Sequence, residues 1–268
     1  MAYDVLNHIH MGSGDPPLVF VHGFLCRHQD WHEQVAYFAG RREVVACDLP
    51  GHGASPARAW PLTAKAFGGA VAELITRLNL HRAVLLGHSM GCRIVMEARR
   101  QAPDRVAGLV LVDGSRMSVN ADNPNQEVDE LIRRYGYKAM VENLFNGMFF
   151  GAPPPWKSEK MAQVLAIPES TGLPLFRSVT EWDAVALESA LDEIDVPVHV
   201  IQSTALGYDH KRRQLVPGEA SPYQRLVLER VSDATNDVVP AGHFSMIEAP
   251  ERVNASIERF LTGKVPGR

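Results

Sequence analysis

Gly87-His88-Ser89-Met90-Gly91 joins an apolar run at positions 83–86 to a helix-like run at positions 92–100. This is a Gly-x-Ser-x-Gly pattern in a strand–turn–helix context, the arrangement of a nucleophile elbow. A residue at the tip of so sharp a turn takes a strained backbone conformation, and the flanking glycines let the strand and the helix approach closely. The hydroxyl of Ser89 is therefore expected to stand clear of the sheet, where it can reach a substrate.

Short apolar runs and helix-like runs alternate on both sides of this turn. The predicted strands are Leu18–Val21, Glu43–Cys47, Ala83–Leu86, Gly108–Val112, Val196–Ile201 and Asn236–Val239. The predicted helices are Trp31–Phe38, Thr63–Leu78, Met90–Gln101 and Pro250–Leu261. Wholly apolar strands alternating with helices predict an α/β fold, with a mostly parallel twisted sheet and helices on both faces.

The alternation stops after the strand that ends at Asp113. Residues 115–189 show no clear buried strand and read as amphipathic helices with Pro-rich turns and many aromatic residues. We therefore expect residues 1–114 and 190–268 to form the core and residues 115–189 to form a helical cap. Ligands bind beyond the carboxyl ends of the strands in open α/β sheets, so the cap is expected to cover that site.

Composition limits the classes of function. The chain has 268 residues, three cysteines and a formal net charge of −4. The mild acidity argues against a nucleic-acid partner, and no apolar run is long enough to cross a bilayer. Widely spaced cysteines and an N-terminus without a basic-then-apolar segment favour a reduced, cytoplasmic setting. No metal-ligand cluster or dinucleotide fingerprint is present, so no cofactor is expected.

Three further motifs follow predicted strands. They are Val21-His22-Gly23-Phe24, the Asp48–Ser55 segment (Asp-Leu-Pro-Gly-His-Gly-Ala-Ser) and Ala241-Gly242-His243-Phe244. Together with the elbow, these motifs resemble the α/β-hydrolase superfamily from about Leu18 to the C-terminal helix. The resemblance implies a catalytic triad in the chain order serine, acid, histidine. Ser89 as nucleophile and His243 as its base fit that order.

The position of the acid stays open at this point. Many α/β-hydrolases carry it soon after the strand that corresponds to residues 196–201, but the Gly-x-x-Asp turn expected there is absent. Asp209 lies farther along that loop, beside a basic run. Asp113 ends the strand after the elbow, where some members of the superfamily have their acid, and it is the preferred candidate. Glu219 is a third possibility.

The remaining site residues are assigned from the motifs. The backbone N–H groups of Phe24 and Met90 are expected to form the oxyanion hole. His22 and His88 are expected in the pocket wall, and Trp156 is a candidate wall for a flat ring.

Several reactions fit this set. Hydrolysis of a carboxylic ester, lactone or thioester with an apolar portion, through an acyl-enzyme on Ser89, is the leading hypothesis. Carbon–carbon bond hydrolysis uses the same groups. The chain is also similar to cofactor-independent dioxygenases that cleave N-heteroaromatic rings, in which a His/Asp pair such as His243/Asp113 deprotonates a 3-hydroxy-4-quinolone-type substrate. A non-catalytic small-molecule receptor is the remaining alternative.

Overall fold

A seven-stranded sheet forms the centre of the computed structural model, which describes residues 6–56, 61–207, 211–216 and 218–267. The strands are β1 (His8–Met11), β2 (Leu18–Val21), β3 (Val44–Cys47), β4 (Ala83–His88), β5 (Val106–Val112), β6 (Val198–Gln202), β7 (Thr204–Leu206), β8 (Arg212–Gln214) and β9 (Ala234–Val238). The sheet has the order β1-β3-β2-β4-β5-β6-β9, and β7 and β8 form a separate antiparallel ribbon. Only β1 in the sheet is antiparallel to its neighbour.

Helices cover the sheet and fill the connection between β5 and β6. They are α1 (His32–Phe38), α2 (Ala64–Arg77), α3 (Gly91–Gln101), α4 (Gln126–Tyr135), α5 (Tyr137–Asn146), α6 (Lys157–Leu165), α7 (Glu169–Val185), α8 (Leu187–Asp192), α9 (Pro222–Arg230), α10 (Ser245–Glu248) and α11 (Pro250–Lys264). Helix α1 packs against α11, and α2 packs against α3. The predicted fold class is confirmed.

Burial explains why the central strands were easy to predict. Every residue of β2, β3 and β4 is buried, as expected for parallel strands that are covered on both faces. Such strands need apolar side chains at consecutive positions rather than at alternate ones. The parallel register also brings the carboxyl ends of β2, β4, β5 and β6 to one edge of the sheet.

Helices α4–α8, here called the helical insertion, lie between β5 and β6 in the chain. The predicted boundary after residue 189 falls inside α8, so that helix crosses the proposed division. Within the described ranges, no helix combines the length and the apolar character needed to cross a membrane.

Candidate active site

Ser89 occupies the turn between β4 and α3 with a left-handed backbone, at φ 53°. A Cβ on Gly87 would come within 2.4 Å of the Gly91 carbonyl oxygen, and a Cβ on Gly91 would come within 2.6 Å of the Val21 carbonyl oxygen. Side chains at either position would therefore collide with backbone that has no freedom to move away. The two glycines make the close strand–helix packing possible, and this packing fixes where Ser89 points.

His243 reaches Ser89 from the loop between β9 and α10. Its Nε2 lies 3.0 Å from the Ser89 Oγ, within hydrogen-bond distance. The backbone of His243 is held on both sides: its N–H donates to the Met148 carbonyl (3.1 Å), and its carbonyl accepts a hydrogen bond from His88 Nε2 (2.8 Å). The sequence-predicted serine and histidine therefore meet, although they are 154 positions apart.

The imidazole of His243 is buried, and its second nitrogen has no partner. Burial lowers the pKa of His243 well below 6.5, and the nearby positive charge of Arg212 lowers it further. Among the described residues, none forms a hydrogen bond with His243 Nδ1. When Nε2 accepts the Ser89 proton, Nδ1 must carry the other proton, so a buried N–H is left without an acceptor.

Asp113 lies close to the His243 loop but forms no hydrogen bond with the His243 ring. It is fully buried at the end of β5 with a left-handed backbone (φ 50°). Its Oδ1 accepts hydrogen bonds from the Ser203 N–H (2.8 Å) and Ser203 Oγ (2.6 Å), and its Oδ2 accepts one from Ser245 Oγ (2.6 Å). Burial raises the pKa of this carboxyl group despite these donors.

The same hydrogen bonds connect Asp113 to both sides of His243. The Ser203 hydroxyl lies between Asp113 Oδ1 (2.6 Å) and the Gly242 carbonyl oxygen (2.5 Å) and donates its one proton to either of them, and Ser245 is two positions beyond His243. The carboxylate therefore supports the loop that carries the histidine.

Of the two other candidate acids, the structure describes only Glu219. Asp209 lies outside the described residues. Glu219 is partly exposed and pairs with Arg213, whose hydrogen bond holds the pKa of Glu219 down to about 2. The Glu219 carboxylate therefore pairs with Arg213 and does not bind His243.

Phe24 and Met90 line a small chamber of about 30 Å³ at Ser89. Neither backbone N–H donates a hydrogen bond to another described residue. Gly23 packs directly behind the serine, since a Cβ there would lie 3.2 Å from the Ser89 Cβ. A residue after the first buried strand and a residue of the elbow therefore border the same small space.

The three residues predicted for the pocket wall lie elsewhere. His22 is buried between two loops, where its Nε2 accepts from the Leu49 N–H (2.9 Å) and its Nδ1 donates to the Gly23 carbonyl (2.8 Å). His88 points away from Ser89, as neighbouring side chains on a strand do, and supports the His243 carbonyl. Trp156 packs on Phe244. None of the three lines the chamber or a second cavity of about 1340 Å³ that adjoins it.

Two arginines and an aspartate at the site were missed by the sequence analysis. Arg93 on α3 is buried, donates to Asp183 on α7 from both Nε (2.7 Å) and Nη2 (2.5 Å), and lies 3.2 Å from the Ser89 carbonyl oxygen. Arg212 on β8 lines the chamber with Arg93. These residues belong to segments far apart in the chain, and no local motif marks them.

Metal-ligating side chains do not cluster in the described ranges, where no group of three or more His, Cys, Asp or Glu residues could hold an ion.

Comparisons with known proteins agree with this fold. Residues 18–256 match the family model described as the alpha/beta hydrolase family. The chain is 27% identical over 266 residues to 3-oxoadipate enol-lactonase 2 from Acinetobacter baylyi, covering 97% of this chain and 94% of that protein.

Two solved structures share the fold at low identity. A hydrolase from Oleispira antarctica superposes with a TM-score of 0.79 at 16% identity, covering 97% of this chain and 96% of that one. The enol-lactonase from Burkholderia xenovorans LB400 superposes with a TM-score of 0.73 at 22% identity, covering 96% of both chains. The resemblance inferred from the motifs is confirmed.

Proposed function

Because this chain belongs to the α/β hydrolase family and is a hydrolase of that fold, we propose that it cleaves a carboxylic ester, lactone or thioester through an acyl-enzyme on Ser89. The observation that carries the proposal is the 3.0 Å contact between Ser89 Oγ and His243 Nε2 at the strained elbow. A serine hydroxyl is a weak nucleophile until a base within hydrogen-bond reach takes its proton.

The proposed reaction has two halves. Ser89 Oγ attacks the scissile carbonyl carbon while its proton moves to His243 Nε2, and the carbonyl oxygen becomes an oxyanion held by the N–H groups of Phe24 and Met90. The leaving group departs with the proton from His243. Water then attacks the acyl-enzyme, with His243 again acting as base, and releases the acid and free Ser89.

Asp113 is proposed as the acid of this site. With no hydrogen bond to His243 Nδ1, it acts through its charge and through its support of the loop on both sides of His243. A nearby negative charge stabilises the imidazolium that forms when His243 takes the serine proton.

The chamber that faces the reacting end of the substrate has mainly apolar walls. The uncharged lining is mainly apolar, with Phe24, Met90, Met117, Leu144, Met148, Phe176 and Val179. Apolar substrate atoms beside the scissile carbonyl group are therefore removed from water on binding, which is favourable.

The test is a panel of p-nitrophenyl esters of graded chain length on the wild-type protein and on Ser89→Ala. We expect hydrolysis by the wild type and a loss of about 10³-fold or more in kcat for Ser89→Ala. A fluorophosphonate probe should label the wild type at Ser89.

Oxygen-uptake assays with a 3-hydroxy-4-quinolone distinguish the dioxygenase hypothesis, because that reaction needs the His243/Asp113 pair and not the serine. Oxygen uptake that survives Ser89→Ala would overturn the hydrolase proposal. Absence of both labelling and hydrolysis would favour the receptor hypothesis.

A further inference from the structure

The chamber at Ser89 is too small for a substrate. Its volume of about 30 Å³ is roughly the space of one water molecule. A second cavity of about 1340 Å³ adjoins it. The two spaces share five lining residues, which are Ser115, Met117, Leu144, Phe176 and Arg212. The body of a substrate therefore fits in the larger cavity, with its reacting end directed past these residues to Ser89.

Arg212 is the charged residue of this shared wall. Its Nη1 donates to Thr204 Oγ1 (3.0 Å), and Thr204 Oγ1 in turn lies 3.4 Å from Asp113 Oδ1. Its other guanidinium nitrogens form no hydrogen bond with a described residue, and no described carboxylate lies within 4.0 Å of them. The threonine therefore orients the guanidinium and leaves its remaining donors for the cavity.

Two arginines near Arg212 form ion pairs, whereas Arg212 forms none with a described carboxylate. Arg93, the other arginine at the chamber, is neutralised by Asp183. Arg213, the next residue along β8, pairs with Glu219 and lines neither cavity. The other charged residues of the larger cavity, three acidic (Glu127, Glu130 and Glu229) and three basic (Arg116, Lys211 and Arg225), do not line the chamber. The buried Asp113 carboxylate lies beyond Thr204 and interacts with Arg212 through its charge without forming an ion pair within 4.0 Å. Among the described residues that line both spaces, Arg212 is the one with a charged side chain.

We propose that Arg212 binds a carboxylate that the substrate carries in addition to its scissile carbonyl group. A guanidinium with free donors matches a carboxylate in shape and charge, and its partial burial strengthens the pair relative to one in open water. The substrate class is then an anionic ester, lactone or thioester, with the carboxylate near the cavity junction. This inference deepens the proposed function and rests on it for the position of the scissile bond.

Matched esters test the assignment. The mono-p-nitrophenyl ester of glutarate carries a free carboxylate, and its methyl ester is the neutral counterpart. We expect the wild type to prefer the charged ester in kcat/KM. Arg212→Gln should lower the ratio of charged to neutral kcat/KM by about tenfold or more, mainly through KM. Arg212→Lys should recover part of the loss, and Arg213→Gln, the matched control, should keep the wild-type ratio.

A binding measurement separates this inference from the proposed function. Glutarate titrated into Ser89→Ala by calorimetry should bind at least about tenfold more tightly than into Ser89→Ala/Arg212→Gln. Equal binding, or an ester ratio that Arg212→Gln leaves at the wild-type value, would overturn the role of Arg212. If the wild type hydrolyses neither ester and resists labelling, the proposed function fails, while the glutarate titration still decides the role of Arg212.

Discussion

A buried imidazole with one hydrogen-bonded nitrogen is the chemical centre of this molecule. His243 meets Ser89 through Nε2, while Nδ1 has no partner among the described residues. The environment also favours the neutral ring, because burial and the charge of Arg212 both lower the pKa of His243. A neutral imidazole is the form that can accept the serine proton, as the proposed mechanism requires.

The pH dependence of kcat/KM should reflect this environment. The ring is active when neutral, so activity should persist from neutral pH to below 6.5 and fall only as the pH drops through the lowered pKa. Two guanidinium groups, those of Arg212 and Arg93, place positive charge near the ring. Arg212→Gln removes one of them and should move the acid limb upward. Asp113 responds in the same direction, because Arg212 also lowers its pKa.

Profiles measured with a neutral p-nitrophenyl ester check this expectation, with Arg213→Gln as the control. A wild-type acid limb centred above pH 6.5, or a downward shift in Arg212→Gln, would contradict the account of the His243 environment.

Asp113→Asn tests the acid. The substitution keeps the shape of the side chain, removes its negative charge and places an N–H₂ against groups that now donate to the carboxylate. We expect kcat to fall by about 10- to 100-fold, less than the roughly 10⁴-fold loss seen where the acid bonds directly to the histidine. Steady-state kinetics beside a thermal melt separate a catalytic effect from unfolding. An unchanged kcat in a folded variant would remove Asp113 from the mechanism.

At the scale of the elements, the elbow depends on close backbone packing. Gly91→Ala puts a Cβ within 2.6 Å of the Val21 carbonyl oxygen, so β2 and α3 must move apart. We expect a loss of about 1–3 kcal/mol in unfolding free energy together with reduced activity, because the same movement shifts Ser89. Gly40→Ala is the matched control, since a Cβ at Gly40 meets nothing within 4 Å. Equal stability of the two variants in urea unfolding would contradict this account of the turn.

The sequence predicted the elements whose patterns are local. Strand β2 agrees at both ends with its prediction because a wholly apolar run of four residues between turn residues is too short for a helix and suits a buried strand. The ribbon of β7 and β8 was missed because Arg212–Gln214 is entirely polar and its pairing with β7 depends on the fold. Helix α9 was also missed, although its N-cap Ser221 forms a capping box with Gln224 that could have indicated it.

The same distinction holds for the site. Ser89 and His243 lie in motifs that can be recognised one at a time, and the structure brings them together. His22 and His88 also lie in motifs, but side-chain direction decided that they support the backbone rather than line the pocket. Arg93 and Arg212 acquire their positions only when α3, α7 and β8 converge. Tertiary contacts of this kind leave no signal in a single sequence.

At the scale of the whole molecule, a buried ion pair joins the helical insertion to the core. Arg93 follows the nucleophile on α3, and Asp183 lies on α7, where it also accepts from the Met117 N–H (2.6 Å). Asp183→Ala leaves the buried guanidinium unpaired, which we expect to cost about 3–5 kcal/mol of unfolding free energy. The exposed pair of Asp129 with Arg177 is the control, and Asp129→Ala should change stability by less than about 1 kcal/mol.

Chemical denaturation of both variants checks this difference, and Arg93→Met/Asp183→Leu should restore much of the lost stability because no unpaired charge remains. Similar losses for Asp183→Ala and Asp129→Ala would show that the buried pair does not hold the insertion on the core.

The covalent intermediate is the most direct measure of the proposed chemistry. Rapid acid quench during p-nitrophenyl ester turnover, followed by mass spectrometry of the digested protein, should find the acyl group on the peptide that contains Ser89, and His243→Ala should abolish its formation. Turnover without an acyl adduct at Ser89, or an adduct on another residue, would contradict the account.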